Sequence, residues 1–328
     1  MPDKPLPLVD LHHHLDGSVR LQTILEVGLQ YDLPLPAKTL IDLKPFVQVT
    51  GPQPGVMAFI EKFKWMTGIL VNYDICRRIA RENVEDAWTQ GITYIELRFS
   101  PWFMAEAHTL DPTHVTEAVL QGIQEGSQTT GVKANAIGIL SRHYGPEIAM
   151  QELKCLLTFK NQLIGLDLAG DEAHFPGDWF VEHFKIARDA GWNITVHAGE
   201  AAGASSIWQA ILGLGAQRIG HGVRAIDDLT LMEYMAKKGI SIEVNLTSNV
   251  QTSTVPSYAG HPAKQFLEQG IPISLNTDDP GISGIDLPYE YAVAAPAAGF
   301  TQDQIIQLKR NAIQTAFLST QDKLTLLA

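Results

Sequence analysis

The amino-acid sequence predicts an α/β fold, a (β/α)8 or TIM barrel with a long helical insertion between strands 1 and 2. Eight short apolar runs alternate with segments of helical periodicity along the 328 residues. Polar residues follow most of these runs at the carboxyl end. Strands that alternate with helices pair in parallel, and eight such units can close into a barrel. An open doubly wound sheet is the alternative, and the polar strand ends favour the barrel.

The predicted strands are short, as is usual for parallel strands that are buried on both faces. No low-complexity linker divides the chain, so we expect residues 1–328 to form a single barrel domain. The eight apolar runs lie at 8–12, 93–99, 134–140, 163–168, 194–197, 218–221, 240–245 and 272–276.

Several of the intervening helices carry start and stop signals. Asp111, which precedes a proline, predicts a helix start, and Gly131 predicts the end of that helix. The segment 179–191 has apolar residues on one helical face and ends in a glycine that is typical of a C-cap. Thr301 and Gln304 have the spacing of a capping box before the last helix.

The first two strands are separated by roughly 75 residues, far more than one crossover helix needs. The insertion has apolar residues at helical spacing, and two interpretations stay open for them. They form a packing face, or they form a lid that presents apolar side chains to a flat substrate, and one helix can do both. These residues are Val56, Met57, Phe59, Ile60, Phe63, Met66, Ile69 and Leu70.

Composition and charge exclude several classes of partner. The net charge is −12 and the longest basic run is Arg77-Arg78, so we expect no nucleic acid partner. No apolar run approaches the ~20 residues that span a bilayer, so we expect no membrane partner. Cys76 and Cys155 are too few and too far apart for a disulfide framework or a Cys-based zinc site, and we expect buried thiols. Residues 1–15 lack a signal pattern, which predicts a cytoplasmic protein. The sequence leaves the oligomeric state unknown.

Six of the eight predicted strands end in ionisable or small polar residues. In a barrel the carboxyl ends of the strands meet at one rim, where barrel enzymes have their active sites. A core strand needs no such residues, so their recurrence predicts a site at this rim. The six segments are 12–17, 167–172, 197–200, 221–222, 245–249 and 276–280.

A metal site is predicted from the first of these strand ends. His12 and His14 alternate along a strand and therefore project to the same side, whereas His13 points the other way. With His197 and Asp278 from other strands they form a nitrogen and oxygen ligand set suited to Zn²⁺, and we predict one zinc ion per chain. The remaining histidines have no ligand-like spacing, and we expect surface or capping roles for them: His108, His114, His143, His174, His183 and His261.

Two carboxylates near the predicted ligands are candidates for chemistry on the substrate. Glu200 lies three residues after His197, where it can act as a general acid or base. A cap or a hydrogen-bond partner of a histidine is an equally good interpretation of Glu200 from spacing alone. Asp278 and Asp279 would repel each other, and a cation on Asp278 removes that repulsion. Strand alternation then directs Asp279 elsewhere, toward a substrate.

Taken together, the strand-end motifs resemble those of the adenosine deaminase family of the amidohydrolase superfamily. Their order and spacing match over nearly the whole chain, and the overall pattern is most similar to the bacterial members. The motifs are His12-x-His14-Leu15-Asp16-Gly17, His197-Ala198-Gly199-Glu200, Gly220-His221-Gly222 and Asn276-Thr277-Asp278-Asp279-Pro280.

The resemblance implies a zinc-dependent hydrolase barrel that converts adenosine, and 2′-deoxyadenosine, into the inosine product and ammonia. Its zinc ligands would be His12, His14, His197 and Asp278. A zinc-activated water would attack purine C6, and Glu200 would protonate N1.

The resemblance also implies contacts with a small purine nucleoside. His221 would orient or deprotonate the attacking water, and Asp279 would contact N7. Gly170 would contact N3 through its backbone. Asp16 would bind a ribose hydroxyl, and His14 would touch the substrate as well as the metal.

The sequence departs from the family pattern after the seventh strand. Asn245-Leu246 stands where relatives often have a small or Cys-Pro pair, although Ser248-Asn249 remains. We interpret this as variation beside the site, with an effect on specificity left open.

Four other functions compete with the nucleoside reaction. Adenine deaminases of the same family usually have Glu before the glycine of the first motif, whereas Asp16 is shorter and leaves room for a ribose. Deamination of a modified adenosine stays open. Nucleic-acid deaminases combine His-x-Glu with Cys-x-x-Cys, which this sequence lacks. A catalytically silent zinc protein is disfavoured because Glu200 and His221 are both present.

Overall fold

Eight parallel strands form a barrel in which each strand pairs with the next along the chain. The computed structural model describes residues 6–327. The backbone N–H of His14 donates to the carbonyl of Asp278 at 2.7 Å, which joins the last strand to the first. This closure confirms the barrel and excludes the open sheet. The strands are β1 (Leu8–His14), β2 (Ile92–Phe99), β3 (Lys133–Ser141), β4 (Leu163–Ala169), β5 (Asn193–Ala198), β6 (Arg218–His221), β7 (Ser241–Val244) and β8 (Ile273–Leu275).

All eight predicted strands are present, with ends that differ by up to two residues. Helices connect them. π-helical turns lie at 209–214 and, after β8, at 290–294. The helices that follow β2 to β7 are α6 (Pro101–Glu106), α7 (Pro112–Thr130), α8 (Gly145–Leu157), α9 (Val181–Asp189), α10 (Ala204–Trp208), α11 (Leu229–Lys238), α12 (Leu246–Gln251) and α13 (Ala263–Glu268). Those that follow β8 are α14 (Pro280–Ser283), α15 (Leu287–Tyr289), α16 (Ala295–Ala297), α17 (Gln302–Thr315) and α18 (Thr320–Leu327).

The predicted insertion between β1 and β2 is confirmed. Its apolar stretch is not one continuous helix, because a 3-10 turn at 61–63 separates two short helices and Ile69 and Leu70 lie beyond the second. Met66, Ile69 and Leu70 are buried in the core, whereas Met57 is 55% exposed. The helices are α1 (Leu21–Gln30), α2 (Leu40–Val47), α3 (Val56–Ile60), α4 (Lys64–Thr67) and α5 (Tyr73–Thr89).

The helix-end signals were mostly correct. Asp111 caps α7 and Gly131 ends it in the left-handed conformation, as predicted. The capping box of Thr301 and Gln304 is formed, but it opens α17, and α18 follows. The segment 179–191 contains a shorter helix than predicted, because its first residues form a 3-10 turn and α9 ends two residues before the glycine.

Two predictions from composition can be compared with the structure. Cys76 and Cys155 are both buried free thiols, as expected. Within residues 6–327, none of the helices combines the length and the apolar character that crossing a membrane requires.

The N-terminal cap of α7 is a testable stability element. The Asp111 carboxylate accepts hydrogen bonds from the backbone N–H of Thr113 at 2.7 Å and of His114 at 3.3 Å. We expect Asp111→Ala to lower the free energy of unfolding by about 1 kcal/mol at neutral pH, as measured by urea denaturation.

The same bonds, chiefly the one from Thr113, lower the pKa of Asp111. A lowered carboxyl pKa stabilises the fold above its unfolded value, and this contribution is lost as the pH falls through the folded value. The deficit of Asp111→Ala should therefore shrink in acid, whereas Asp111→Asn keeps a cap at both pH values. A deficit of equal size in acid would contradict the role assigned to the charge.

Candidate active site

A cavity of about 710 Å³ opens at the rim where the carboxyl ends of the strands meet. Every strand contributes to its wall, including β2 and β3, which the sequence analysis did not include among the polar strand ends. Each strand contributes a lining residue at or just after its carboxyl end. In chain order these are His14, Ser100, Ser141, Gly170, His197, His221, Ser248 and Asp278.

The four predicted metal ligands converge: His14, His197 and Asp278 line the cavity, and His12, which does not line it, contacts Asp278. The Oδ1 atom of Asp278 lies 3.0 Å from Nε2 of His12 and 3.4 Å from Nε2 of His14. Nε2 of His14 is 3.0 Å from Nε2 of His197. These spacings match donors around one cation, and Nε2 of His12 is buried without a hydrogen-bond partner. The donor set therefore fits a metal ion and could hold one.

His221 is a fifth candidate ligand that the sequence analysis did not include. Its Nε2 is 3.8 Å from Oδ2 of Asp278, and its ring centre is 5.0 Å from that of His12. Two sets of side chains have donor atoms close enough together to hold a metal ion. They are His12, His197, His221 and Asp278, and His14, Asp278 and Asp279. Distance alone therefore leaves six candidate donor residues, four histidines and two aspartates.

Two of the predicted ligands are oriented by buried carboxylates. Nδ1 of His12 is 2.7 Å from Oε2 of Glu243, and Nδ1 of His197 is 3.1 Å from Oδ1 of Asp167. A carboxylate that accepts the Nδ1 proton leaves Nε2 free to bind a metal. Arg98 lies between these carboxylates and donates to Asp167 at 2.9 Å and to Glu243 at 2.8 Å.

Sequence reasoning missed Arg98, Glu243 and the role of Asp167. The available signal was a charged residue inside a strand that is otherwise apolar. Arg98 and Glu243 are fully buried in β2 and β7, and a strand buried on both faces rarely contains an unpaired charge.

His13 lies on the opposite side of β1, as predicted. Its Nδ1 is 2.9 Å from Oγ1 of Thr277, and its Nε2 is 2.9 Å from Oδ1 of Asn83. Both ring nitrogens are therefore occupied away from the cavity.

Glu200 lies on a loop that another carboxylate holds in place. Glu172 accepts hydrogen bonds from the backbone N–H groups of Gly199 at 2.6 Å, Glu200 at 3.1 Å and Ala201 at 2.7 Å. Burial, and then the nearby charge of Asp278, raise the pKa of Glu200 well above its ordinary value. Burial and the neighbouring negative charge therefore favour the protonated form of Glu200, which lines the cavity.

The adjacent aspartates have opposite environments. Burial alone would raise the pKa of Asp278, but its interactions with the imidazoles of His221 and His12 hold that pKa well below its ordinary value. Burial, and then the charge of Asp278, raise the pKa of Asp279 well above its ordinary value. Burial also raises the pKa of Asp16 to about 7. Buried oxygens of Asp16, Asp279 and Ser248 have no hydrogen-bond partner, so a polar ligand fits this part of the wall.

Gly170 is required by the close packing around it. Its φ is +104°, and a Cβ atom there would lie 2.6 Å from Nδ1 of His143. His143 itself lines the cavity, so its expected surface role is wrong. His183 and His261 are also buried, whereas His114 and His174 are exposed as expected.

The insertion supplies the apolar part of the cavity wall. Val56, Phe59, Ile60 and Phe63 lie over the cavity with Phe103 from α6. Phe59 and Phe63 are also members of the buried core. The same segment therefore forms a packing face and part of the cavity wall, and its role as a lid over a flat substrate stays a prediction.

Comparison with known proteins identifies the family. The family model described as adenosine deaminase matches residues 7–328. The chain belongs to the adenosine deaminase family. An adenosine deaminase of Shigella flexneri is 55% identical over 323 residues, which cover 98% of this chain and 97% of the relative. An adenosine deaminase of Escherichia coli O1:K1 is also 55% identical, with the same coverage.

Solved structures of two deaminases and an amidohydrolase share this fold. An adenine deaminase from Arthrobacter aurescens has a TM-score of 0.91 at 23% identity, covering 98% of this chain and 97% of its own. An amidohydrolase from Burkholderia ambifaria, solved with bound Zn, has a TM-score of 0.90 at 24% identity, covering 98% and 88%. The N6-methyl-AMP deaminase of Arabidopsis thaliana has a TM-score of 0.83 at 27% identity, covering 98% and 95%.

The carboxylates behind the histidines predict a measurable effect on metal affinity. In Asp167→Asn the acceptor for the Nδ1 proton of His197 is weakened, and Arg98 loses half of its ion pairing. We expect zinc affinity to fall about 10–100-fold, measured by competition with a chromophoric chelator. Glu152→Gln is the matched control, since Glu152 is an equally buried carboxyl that bonds Ser100 and Ser141 and contacts no ligand. Equal zinc affinities for the two variants would contradict the assigned role of Asp167.

Proposed function

We propose that this protein catalyses the hydrolytic deamination of adenosine, and of 2′-deoxyadenosine, to the inosine product and ammonia. The observation that carries the proposal is a buried acid, Glu200, whose raised pKa favours the protonated form and which shares a cavity wall with a cluster of metal donors. Its relatives of 55% identity, which are named adenosine deaminases, support this substrate over the alternatives.

The metal is proposed to be one zinc ion per chain, held by His12, His14, His197 and Asp278. Burial lowers the pKa values of His14 and His197, which keeps both imidazoles neutral for metal binding. Three imidazoles and a carboxylate form a donor set that suits zinc. Zinc, when bound, supplies a nucleophilic hydroxide at neutral pH because it lowers the pKa of water to about 7.

The reaction requires a proton at N1 of the purine. Attack of water at C6 forms a C–O bond and moves an electron pair onto N1, and Glu200 is proposed to donate its proton there. The C6–N6 bond then breaks: the amino group takes up the proton that the attacking water gave up, the C6 hydroxyl proton returns to Glu200, and ammonia leaves. His221 is proposed to orient or deprotonate the water.

Substrate orientation is proposed to come from polar groups spread around the rim. Asp279, kept protonated by burial, can donate to N7, and Gly170 can contact N3 through its backbone. Asp16 and His14 lie together in the cavity wall, with Nδ1 of His14 3.8 Å from Oδ1 of Asp16. This pair is proposed to bind the ribose.

Two rival substrates are less well supported. A free adenine would leave the unpartnered oxygen of Asp16 unsatisfied. A nucleotide such as N6-methyl-AMP carries phosphate, and no Lys or Arg is among the described residues that line the cavity. The cytoplasmic location stays a prediction. The oligomeric state stays open.

The proposed function is tested by following the ultraviolet absorbance of adenosine as it converts to inosine. We expect turnover of adenosine and 2′-deoxyadenosine, loss of turnover after chelation, and recovery with zinc. Adenine, AMP and N6-methyl-AMP are assayed in parallel under the same conditions. Faster turnover of any of these three would overturn the proposal.

Glu200→Gln should retain zinc and lose turnover, because the amide has the shape of the acid but no acidic proton for N1. We expect kcat to fall by at least about 100-fold, with zinc content measured on the same sample. Glu268→Gln, on the exposed face of α13, is the control and should match the wild type. Zinc loss in Glu200→Gln would contradict its assignment as a residue that does not bind metal.

Asp279→Ala and Asp278→Ala should separate substrate binding from metal binding. We expect Asp279→Ala to keep the metal and to lower kcat/KM for adenosine, because one contact with the purine is removed. Asp278→Ala should lose the metal itself. Unchanged kinetics of Asp279→Ala would rule out its contact with the purine.

A further inference from the structure

A chain of hydrogen bonds runs from the barrel exterior to His221. The backbone N–H of Ala263 donates to Nδ1 of His261 at 3.0 Å. Nε2 of His261 is 3.0 Å from Oδ1 of Asn249, and Nδ2 of Asn249 is 3.0 Å from Nδ1 of His221. The side chains of His261, Asn249 and His221 are all buried.

The direction of this chain follows from its first member. A backbone N–H can only donate, so Nδ1 of His261 has a lone pair and Nε2 has the proton. Burial lowers the pKa of His261 to about 3, which leaves the ring neutral with that single proton. His261 therefore donates to Oδ1 of Asn249, and this fixes the orientation of the Asn249 amide.

The Asn249 amide in turn determines which nitrogen of His221 has a proton. Its NH2 group donates to Nδ1 of His221, which must be a bare acceptor. Nδ2 of Asn245 lies 3.4 Å from the same nitrogen, on the same side of the ring. The proton of a neutral His221 is then on Nε2, the nitrogen that faces Asp278.

Two of the predicted ligands, His12 and His197, differ from His221 in the group that contacts Nδ1. His12 and His197 each have a carboxylate at Nδ1, from Glu243 and Asp167, which leaves Nε2 free for a metal. His221 has amide donors at Nδ1 instead. The Oε1 atom of Glu200 is the other group near Nδ1, at 3.7 Å, which exceeds a hydrogen-bond distance.

We infer that Asn249 and His261 are positioning residues that keep His221 in its Nε2–H form, so that it serves as a hydrogen-bond donor to the attacking water. This rests on the proposed function, and it selects between the two roles left open for His221. A ring with its proton already on Nε2 orients the water and does not deprotonate it. The same proton prevents His221 from replacing His14 as a metal ligand.

The first experiment reads the tautomer directly in the zinc-loaded wild-type enzyme. With ¹⁵N-labelled histidine, long-range ¹H–¹⁵N spectra distinguish a protonated ring nitrogen from a bare one. We expect a bare Nδ1 and a protonated Nε2 for His221, assigned by comparison with His221→Gln. A proton on Nδ1 of His221 would overturn the inference whatever the activity.

The second experiment uses Asn249→Asp to reverse the direction of the hydrogen bond between residue 249 and Nδ1 of His221. A carboxylate oxygen in place of the NH2 group requires a proton on Nδ1 of His221. We expect that shift in the spectra, a fall in kcat on the order of 100-fold, and little change in KM or zinc content. Unmoved spectra, or moved spectra with unchanged kcat, would each contradict the inference.

Asn83→Asp is the matched control for Asn249→Asp. Asn83 is a buried amide whose Oδ1 bonds the ring of His13, outside the cavity. It reproduces the introduction of a buried carboxylate beside an imidazole, so any loss of stability is shared. We expect Asn83→Asp to keep the wild-type spectrum of His221 and the wild-type kcat per folded molecule. A comparable fall in kcat would show that Asn249→Asp acts through stability.

Variants of His261 test the chain if Asn249→Asp does not fold. His261→Gln retains an N–H donor toward Oδ1 of Asn249, and we expect it to keep most of the activity. His261→Leu removes that donor and should mix the tautomers and lower kcat. Equal kcat for the two variants would overturn the role of His261. Failure of the wild type to deaminate adenosine would overturn the proposed function, while the spectra would still test the tautomer.

Discussion

The pairing of Arg98 with Asp167 and Glu243 inside the barrel is the interaction on which the geometry of the site depends. Both carboxylates are fully buried, and each of them also holds a histidine by its Nδ1 atom. A buried ion pair contributes little net stability, because desolvation offsets the attraction between the charges. The arrangement is instead explained by orientation: it directs the Nε2 atoms of His12 and His197 toward one point.

The cavity separates the protonation states of acids that lie close together. Asp278 is surrounded by imidazoles that lower its pKa, whereas burial next to Asp278 raises the pKa values of Glu200 and Asp279. Carboxyl groups whose environments shift their pKa values in opposite directions are typical of acid–base sites. Burial and spacing therefore favour one ionised carboxylate beside two protonated carboxyl groups in a wall that also contains Asp16.

The backbone is strained where it carries these groups. His221 and Asp278 both adopt φ values near +60°, a conformation that non-glycine residues rarely occupy. A Cβ atom on Gly17 would lie 1.8 Å from Oδ1 of Asp279, so the first motif needs glycine for close packing against the eighth strand. The backbone N–H groups of the Glu200 loop donate to the carboxylate of Glu172. These hydrogen bonds hold the loop where no helix or strand does.

The sequence by itself determined the barrel, the insertion and the convergence of His12, His14, His197 and Asp278. Strand alternation and hydrophobic periodicity are local properties, and parallel pairing in chain order then places all carboxyl ends at one rim. Tertiary structure alone decided the partners of those residues. Arg98, Glu243, Asn249 and His261 come from distant segments, and nothing in their spacing indicates which nitrogen or oxygen each one faces. The protonation of a buried imidazole or carboxyl group depends on those contacts, so the roles of His221 and Glu200 became apparent only in the folded chain.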